Sequence, residues 1–368
     1  MPRPDFQYQY QQIAREIKEQ IARGELKPGM RLSSERILGN QFQVQRNTIR
    51  QALALLEDEG RISTEKRRGS FILPLPKNEV GGTFIVNMHR GSGSNLTALL
   101  DGFAHMAEER GFKAVRRNTN PVGTSIINVI PDIDELPADT AGVVLWPHYP
   151  SDPDRLRRLN DAVPLVLVDR HVIGVSADCV RFDDIHGGKL ITEHLLSLGH
   201  RRIAFLTDEV FAETVQFRWH GYVLAQEEAG VEFDAKLSLL YQHMDSQIFA
   251  NTFRYLMASD KTRPTAVVCA NDLVAFSFLR FLHAEGIKTP EDVAVTGYGN
   301  SMPDYAEAMT LTTIDQPFRE VGEEAAKLLA VRVHQPAAER LRRPEDKILP
   351  VRLVVRGSTV APMPPERH

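Results

Sequence analysis

Cysteine is nearly missing: there are two in 368 residues, Cys179 and Cys269, each in or beside an apolar strand-like run and neither in a partner motif. Buried free thiols are the favoured reading, with a disulfide or a catalytic thiol the minor one. Long apolar runs are missing too. No stretch reaches the roughly eighteen residues that a membrane span needs, and no apolar segment follows a basic start. Neither spanning nor export is therefore indicated, and a cytoplasmic location is expected. The net charge is only −4, with 42% hydrophobic and 25% charged residues, which fits two or three compact units with disorder expected only at the ends.

Marks of catalysis are scarce. Asp183, Asp184 and other carboxylates can be drawn as acid/base pairs, but no nucleophile motif, metal triad or cofactor lysine accompanies them. His186, His194 and His200 are spaced by eight and six, which is not a zinc pattern, and Gly91-Ser-Gly93-Ser lacks the third glycine and the lysine of a phosphate loop. No enzyme activity, cofactor or metal is expected.

What the chain has is a small basic front. Residues 1–77 carry 14 Lys and Arg against 9 Asp and Glu, about +5, so the remaining 291 residues carry about −9 to reach the total of −4. Within this front, the periodicity predicts a helix from Tyr10 to Arg23 with Ile13, Ile17 and Ile21 inward, stopped by Gly24. A turn at Pro28-Gly29 follows, then a second helix capped by Ser33 or Ser34. A third helix places Arg46, Asn47 and Arg50 on one face and Ile49, Leu53 and Leu56 on the other. Gly60 stops it, and residues 61–73 read as a hairpin with a basic tip at Arg67-Arg68-Gly69. An Arg/Asn helix face suits major-groove base edges, because Arg forks onto guanine and Asn onto adenine; a solvated amphipathic helix is the plainer alternative.

Three helices and a wing resemble the winged helix-turn-helix of the GntR family of bacterial transcription regulators. The match comprises Leu32, Ser34, Glu35, Arg36, Val44, Arg46, Thr48, Ile49, Arg50, Ala52 and Leu53. The resemblance implies that Arg36, Arg46 and Arg50 contact phosphates or bases, that Asn47 helps choose the sequence, and that Gly69 lets the wing approach the minor groove. Together with Gln45, Thr48 and Arg68 these are the candidate DNA-binding residues. The chain departs from the family pattern at Ser33 (usually Pro), Gln43 (usually Gly) and Gln45 (usually Ser or Thr). Gln45 is a weaker helix cap and a longer donor, so operator preference is expected to differ from the family norm.

Residues 74–82 form a proline-stiffened, then glycine-loosened linker. Beyond it, short apolar runs alternate with amphipathic helices, as in Phe84 to Met88 before Leu96 to Arg110, and Ala266 to Cys269 before Leu273 to Glu285. This is βα repetition, implying parallel sheets with helices on both faces, and more units than one doubly wound domain holds. The fold class is therefore α/β: a winged helix-turn-helix at 1–73 and a two-lobed body at 83–360. Lobe 1 is expected over about 83–181 and 301–331, and lobe 2 over about 182–300 and 332–360. Ligands in such sheets bind at the carboxyl ends of strands, which draws the loops at His89 to Asn95, Trp146 to Tyr149, Asp169 to His171, Thr207 to Arg218 and Asn271-Asp272 to one mouth.

Specific runs in the body carry a second resemblance: Pro164 to Arg170, Asp183-Asp184 with Gly187-Gly188, and His194 to Ala204 around Gly199-His200. It continues through Arg218 to Tyr222, Pro264 to Ala266 with Asn271-Asp272, Pro290 to Val295, Leu311 to Ile314 and Leu353 to Ser358. These resemble the effector-binding core of LacI/GalR-type repressors, which is similar to type I periplasmic binding proteins. The pairing of the two halves resembles the arabinose-repressor family of Gram-positive bacteria. It implies that Asp169, Arg218 and Asp272 meet the effector, and a donor fork beside a carboxylate suits vicinal hydroxyls. Trp146, Phe211 and Trp219 offer either a ring face or core packing, and His89, Asn95, Thr214 and Tyr241 are further wall candidates. The strand end Gly297-Tyr298-Gly299-Asn300 lacks the carboxylate pair usual in the family.

The expected function is a ligand-responsive repressor, with a homodimer gripping an inverted-repeat stretch of double-stranded operator DNA and a small polar effector, a sugar first, releasing it. A purine or other metabolite as effector, and corepression rather than release, stay open. An exported binding protein would need a leader and no basic head. An enzyme fused to such a head would need a longer, differently patterned body.

Overall fold

The computed structural model describes residues 6–23, 25–59, 61–65, 68–73, 81–88, 94–117, 130–147, 151–240, 247–259, 261–301 and 310–359. Gly24, Gly60, Arg67, the linker stretch 74–80, His89, Gly91, Gly93, Tyr149 and Tyr241 lie outside these.

In the head, apolar residues on helical spacing decide which faces close. Helices α1 (Phe6–Arg23), α2 (Glu35–Phe42) and α3 (Arg46–Asp58) bury Ile13, Ala14 and Ile17, Leu38, and Ile49, Leu53 and Leu56 in one small core. Ser34, not Ser33, caps α2, its Oγ accepting the Ile37 N–H at 3.4 Å. The corner between α2 and α3 turns at Gln43, whose φ of +53° is left-handed, the conformation that the usual glycine adopts without strain. Strands β1 (Ile62–Glu65) and β2 (Gly69–Ile72) pair antiparallel as the wing.

The body begins with β3 (Thr83–Asn87), α4 (Ser94–Glu109), β4 (Lys113–Arg117), β5 (Thr140–Leu145), α5 (Pro153–Ala162), β6 (Leu165–Val168) and β7 (Asp178–Phe182). It continues with α6 (Asp184–Ser197), β8 (Ile203–Thr207), α7 (Glu213–Glu228), β9 (Ser238–Leu240), α8 (Gln247–Met257), β10 (Ala266–Cys269), α9 (Asp272–Ala284) and β11 (Ala294–Thr296). The chain ends through β12 (Thr313–Asp315), α10 (Phe318–Arg332), α11 (Ala337–Arg340), β13 (Asp346–Leu349) and β14 (Arg352–Val354). Two parallel sheets result, in the orders β13-β7-β6-β5-β3-β4 and β11-β10-β8-β9, with a separate antiparallel ribbon of β12 and β14.

Each sheet is covered on both faces. Alternation along its strands sends Val144 and Val166 to the side of α4 and α10, and Val143 and Leu165 to the side of α5. In each lobe one helix pair packs closely through facing glycines. A Cβ on Gly188 would sit 2.1 Å from the Arg218 carbonyl oxygen and one on Gly221 2.0 Å from that of Ile185, so α6 and α7 approach only because both positions are glycine.

The chain passes between lobes near 182–184, 315–318 and 349–352. Two of the expected boundaries are corrected. Residues 310–315 belong beside β11, because Thr312 bridges Thr296 and Asp315 bridges Gly299, so the return to lobe 1 comes after Asp315 and not at 301. Residues 332–349 stay with lobe 1, because β13 adds in parallel to β7 as the edge strand of the first sheet. The head rests on this lobe. Arg15 pairs with Glu339 at 3.2 Å, Gln335 bonds Glu19 at 3.3 Å, and Arg110 donates to the Ile21 carbonyl at 3.3 Å. Among the described residues, no helix is long and apolar enough to cross a membrane.

Candidate functional site

Helix α3 presents Arg46, Asn47 and Arg50 on its outer face, all exposed, while Thr48 is only 8% exposed beneath them. Gln45 occupies the cap position with extended backbone and makes no side-chain cap bond, as expected of a residue too long to fold back on N3. The two arginines are not independent. Glu35, the first residue of α2, accepts from Arg46 Nε and from Arg50 Nε at 3.1 Å, so one carboxylate fixes where both guanidiniums start. Those bonds hold its pKa below the ordinary value, with the Arg46 bond the largest cause. Sequence reading took Glu35 as a family match without a role. Its signal was the spacing that sets one acidic residue between two turns of the next helix.

On the wing, Arg68 is exposed, pairs with Glu65 at 2.5 Å and lies 5.6 Å over the Phe71 ring. Gly69 has φ +103°, and a Cβ there would meet the Arg31 guanidinium at 2.8 Å. Arg36 is exposed on α2. Arg36, Gln45, Arg46, Asn47, Arg50 and Arg68 therefore all reach solvent.

In the body, the strand ends converge as the parallel topology requires. Arg218, on α7, is buried: Nε donates to Asp184 Oδ1 at 2.8 Å, Nη1 to the Ala270 carbonyl at 2.8 Å, and the guanidinium lies 4.0 Å over the Tyr298 ring. Burial, the larger effect, pushes Asp184 up to about 6 against the pull of Arg218. Burial likewise works against the Arg218 charge, yet the carboxylate beside it keeps its pKa above the ordinary value. Asp184 was not among the expected effector residues. It opens α6 after the cap Asp183, and the glycine contact of α6 with α7 brings it under Arg218.

Asp272 opens α9 after the cap Asn271 and is 2% exposed. It accepts from Thr313 Oγ1 and from the Ser301 N–H, both at 2.6 Å, yet burial still pushes its pKa up to about 6. Both resemblance-derived anchors are thus already engaged by protein partners. Asp169 follows β6 in a left-handed conformation, φ +75°, and accepts from Trp146 Nε1 at 3.1 Å and Arg170 Nε at 2.9 Å.

Trp146 also packs 5.5 Å from Phe318, so its ring serves the core on one side. Phe211 is 67% exposed, whereas Trp219 lies outside the strand-end cluster, its indole donating to Ser238 at 3.2 Å against Phe233. Thr214 is buried in the first turn of α7.

Asn95 reaches from α4 to the other lobe, its Nδ2 donating to the Gly299 carbonyl at 2.8 Å. Where the family usually has carboxylates, Asn300 instead bridges Asp315 at 2.8 Å and Arg356 at 2.7 Å.

Residues 9–72 match the family model of bacterial regulatory proteins of the gntR family, and residues 192–359 that of a periplasmic binding protein-like domain. The arabinose metabolism transcriptional repressor of Geobacillus stearothermophilus is 30% identical over 361 residues, covering 95% of this chain and 97% of that protein. The HTH-type transcriptional repressor PurR of Mannheimia succiniciproducens is 30% identical over 198 residues, 54% of this chain and 59% of its own. Among solved structures, a LacI family transcriptional regulator from Enterococcus faecium with bound ribose matches at 26% identity and a TM-score of 0.58, covering 76% of this chain and 99% of that one.

Proposed function

The chain belongs to the family of arabinose-type transcriptional repressors that join a GntR head to a periplasmic-binding-protein-like body, and we propose that it is a repressor released from its operator by a small sugar. The head, 1–73, reads DNA in the cytoplasm through Arg46, Asn47 and Arg50, with Arg36, Gln45, Thr48, Arg68 and Gly69 setting its position. Two chains paired through their bodies bring two heads to an inverted repeat.

The effector sits between the lobes against Asn95, Trp146, Asp169, Thr214, Arg218 and Asp272, with His89 and Tyr241 as further contacts. The observation that carries this reading is the buried Arg218, anchored by Asp184 and Ala270 through Nε and Nη1. A guanidinium has five N–H donors, so this anchoring leaves a preorganised edge for hydroxyl oxygens. A bound sugar must favour one lobe arrangement over the other, and a coupling of about 1–3 kcal/mol shifts operator affinity roughly 5- to 150-fold.

A thermal-shift screen against pentoses, hexoses, their phosphates and purines tests the assignment. A ligand that binds only the folded chain raises the melting temperature by mass action. The sugar reading expects a pentose or hexose to do so in the wild type and not in Arg218→Ala. If a purine alone raises it, the effector is a purine and not a sugar.

A further inference from the structure

We propose that His171, Cys179 and Asp346 form a binding site for a divalent transition-metal ion, zinc by ligand type, on the edge of lobe 1 facing lobe 2. The ligand atoms of these three side chains lie within 4.8 Å of one another. They come from the loop after β6 and from two neighbouring strands, and the parallel register of β13 and β7 sets Asp346 directly beside Cys179. Imidazole, thiolate and carboxylate are the donor types that zinc takes, and three protein ligands leave a fourth position for water. Tetrahedral bonds of about 2.0–2.3 Å place ligand atoms about 3.3–3.8 Å apart, so the set needs to contract by about 1.5 Å at most.

The hydrogen bonding around His171 points the same way. Glu213, from α7 of the other lobe, accepts the His171 backbone N–H at 2.9 Å and lies 3.3 Å from Nδ1, so a carboxylate orients the ring from the far side of the site. Nε2 lies 3.4 Å from Asp346 Oδ1. A carboxylate oxygen thus faces each ring nitrogen, an arrangement that calls for a cation at the ring. A proton answers that need but has no use for the third group, Cys179, whereas a metal ion binds all three.

The carboxylate is already fixed in place by Arg181, whose Nε and Nη2 hold it at 2.9 and 2.8 Å. With Cys179 as thiolate, the charges of Cys179, Asp346 and Glu213 exceed that of Arg181 by two, which a divalent ion neutralises. Binding forms the metal–sulfur bond and sends the Cys179 proton to solvent, and nothing is oxidised. Glu213 is the outer carboxylate that orients the ligating histidine, so the ion ties the loop after β6 to α7 across the lobes. Sequence spacing concealed the set, because Cys179 and Asp346 are neighbours only through the added strand β13.

The test is titration of the full-length chain, freed of metal, with cobalt(II) and with zinc(II) against a chromophoric chelator. One ion per chain is expected, and cobalt should give the near-ultraviolet sulfur-to-metal charge-transfer band of a thiolate ligand. Cys179→Ser and His171→Ala should each abolish the band, Cys269→Ser should retain it, and Glu213→Gln should weaken binding about 10- to 100-fold. His171 is half-exposed, so His171→Ala checks the result independently of any folding defect in the buried Cys179 variant. Absence of a thiolate band in the wild type, or a band unchanged in Cys179→Ser or His171→Ala, overturns the site.

Discussion

Arg218 and Asp184 form a buried ion pair, Nε to Oδ1 at 2.8 Å, at the point where α6 and α7 touch through glycine. Its burial makes the pair a structural element as well as the proposed ligand anchor. Removing one partner of such a pair leaves the other charge uncompensated, typically at about 3–5 kcal/mol. Arg218→Ala is therefore expected to lower the melting temperature by several degrees as well as to abolish the effector response. Arg218→Lys should recover part of the stability without the response, because an ammonium lacks the planar fork. Calorimetry with an effector titration on both variants separates the two effects; full effector response in Arg218→Lys would contradict the anchor role.

Glu35 restrains Arg46 and Arg50, the two arginines of the proposed DNA face, so its loss should change specificity more than charge. Glu35→Ala removes a negative group from the DNA face, which raises affinity for any duplex, while freeing Arg46 and Arg50 from a fixed approach. The ratio of operator to scrambled-DNA affinity should fall about tenfold, the scale of a single misplaced base contact. Arg50→Ala should cost about 1–3 kcal/mol at the operator and leave effector affinity unchanged. Polarisation titrations on both duplexes read this directly, and an unaltered ratio in Glu35→Ala would remove the restraint from the account.

Gln43 adopts a left-handed turn that a side chain disfavours by about 1–2 kcal/mol. Replacing it with glycine relieves that strain but loosens the unfolded chain, so Gln43→Gly should stabilise the head by roughly 0.5–1 kcal/mol. Denaturant unfolding followed by a probe in the head measures it, and a destabilised variant would mean that the Gln43 side chain has a role in the corner.

Asp272 gives a pH dependence with a definite sign. Its folded pKa is raised to about 6 by burial from an ordinary 3.8. The stability it contributes is therefore fully present below the unfolded value and is lost as pH rises through about 6. Relative to Asp272→Asn, the wild type should gain melting temperature between about pH 7.5 and pH 5. A difference between the two proteins that stays constant over that range would contradict the assignment.

The head was readable almost residue by residue, because its logic is local: helix spacing put Ile49, Leu53 and Leu56 inside and Arg46, Asn47 and Arg50 outside, as found. The βα rhythm of the body was equally local. What escaped the sequence was long-range pairing. β13 lies 164 positions beyond the end of β7, counting from Phe182 to Asp346, so nothing nearby in the chain indicated that it joins the first sheet. The same holds for the partners of Arg218. The arginine stood out by its motif, but Asp184 and the Ala270 carbonyl come from other elements and occupy donors that sequence reading had given to the ligand.

The central claim is that an effector between the lobes controls the grip of the head on DNA. The most direct measurement is operator affinity by fluorescence polarisation, at fixed salt, with and without the sugar that raises the melting temperature. The account predicts at least about a fivefold loss of operator affinity with the sugar bound, absent in Arg218→Ala. Equal affinity in the presence and absence of a sugar shown to occupy the chain would contradict it.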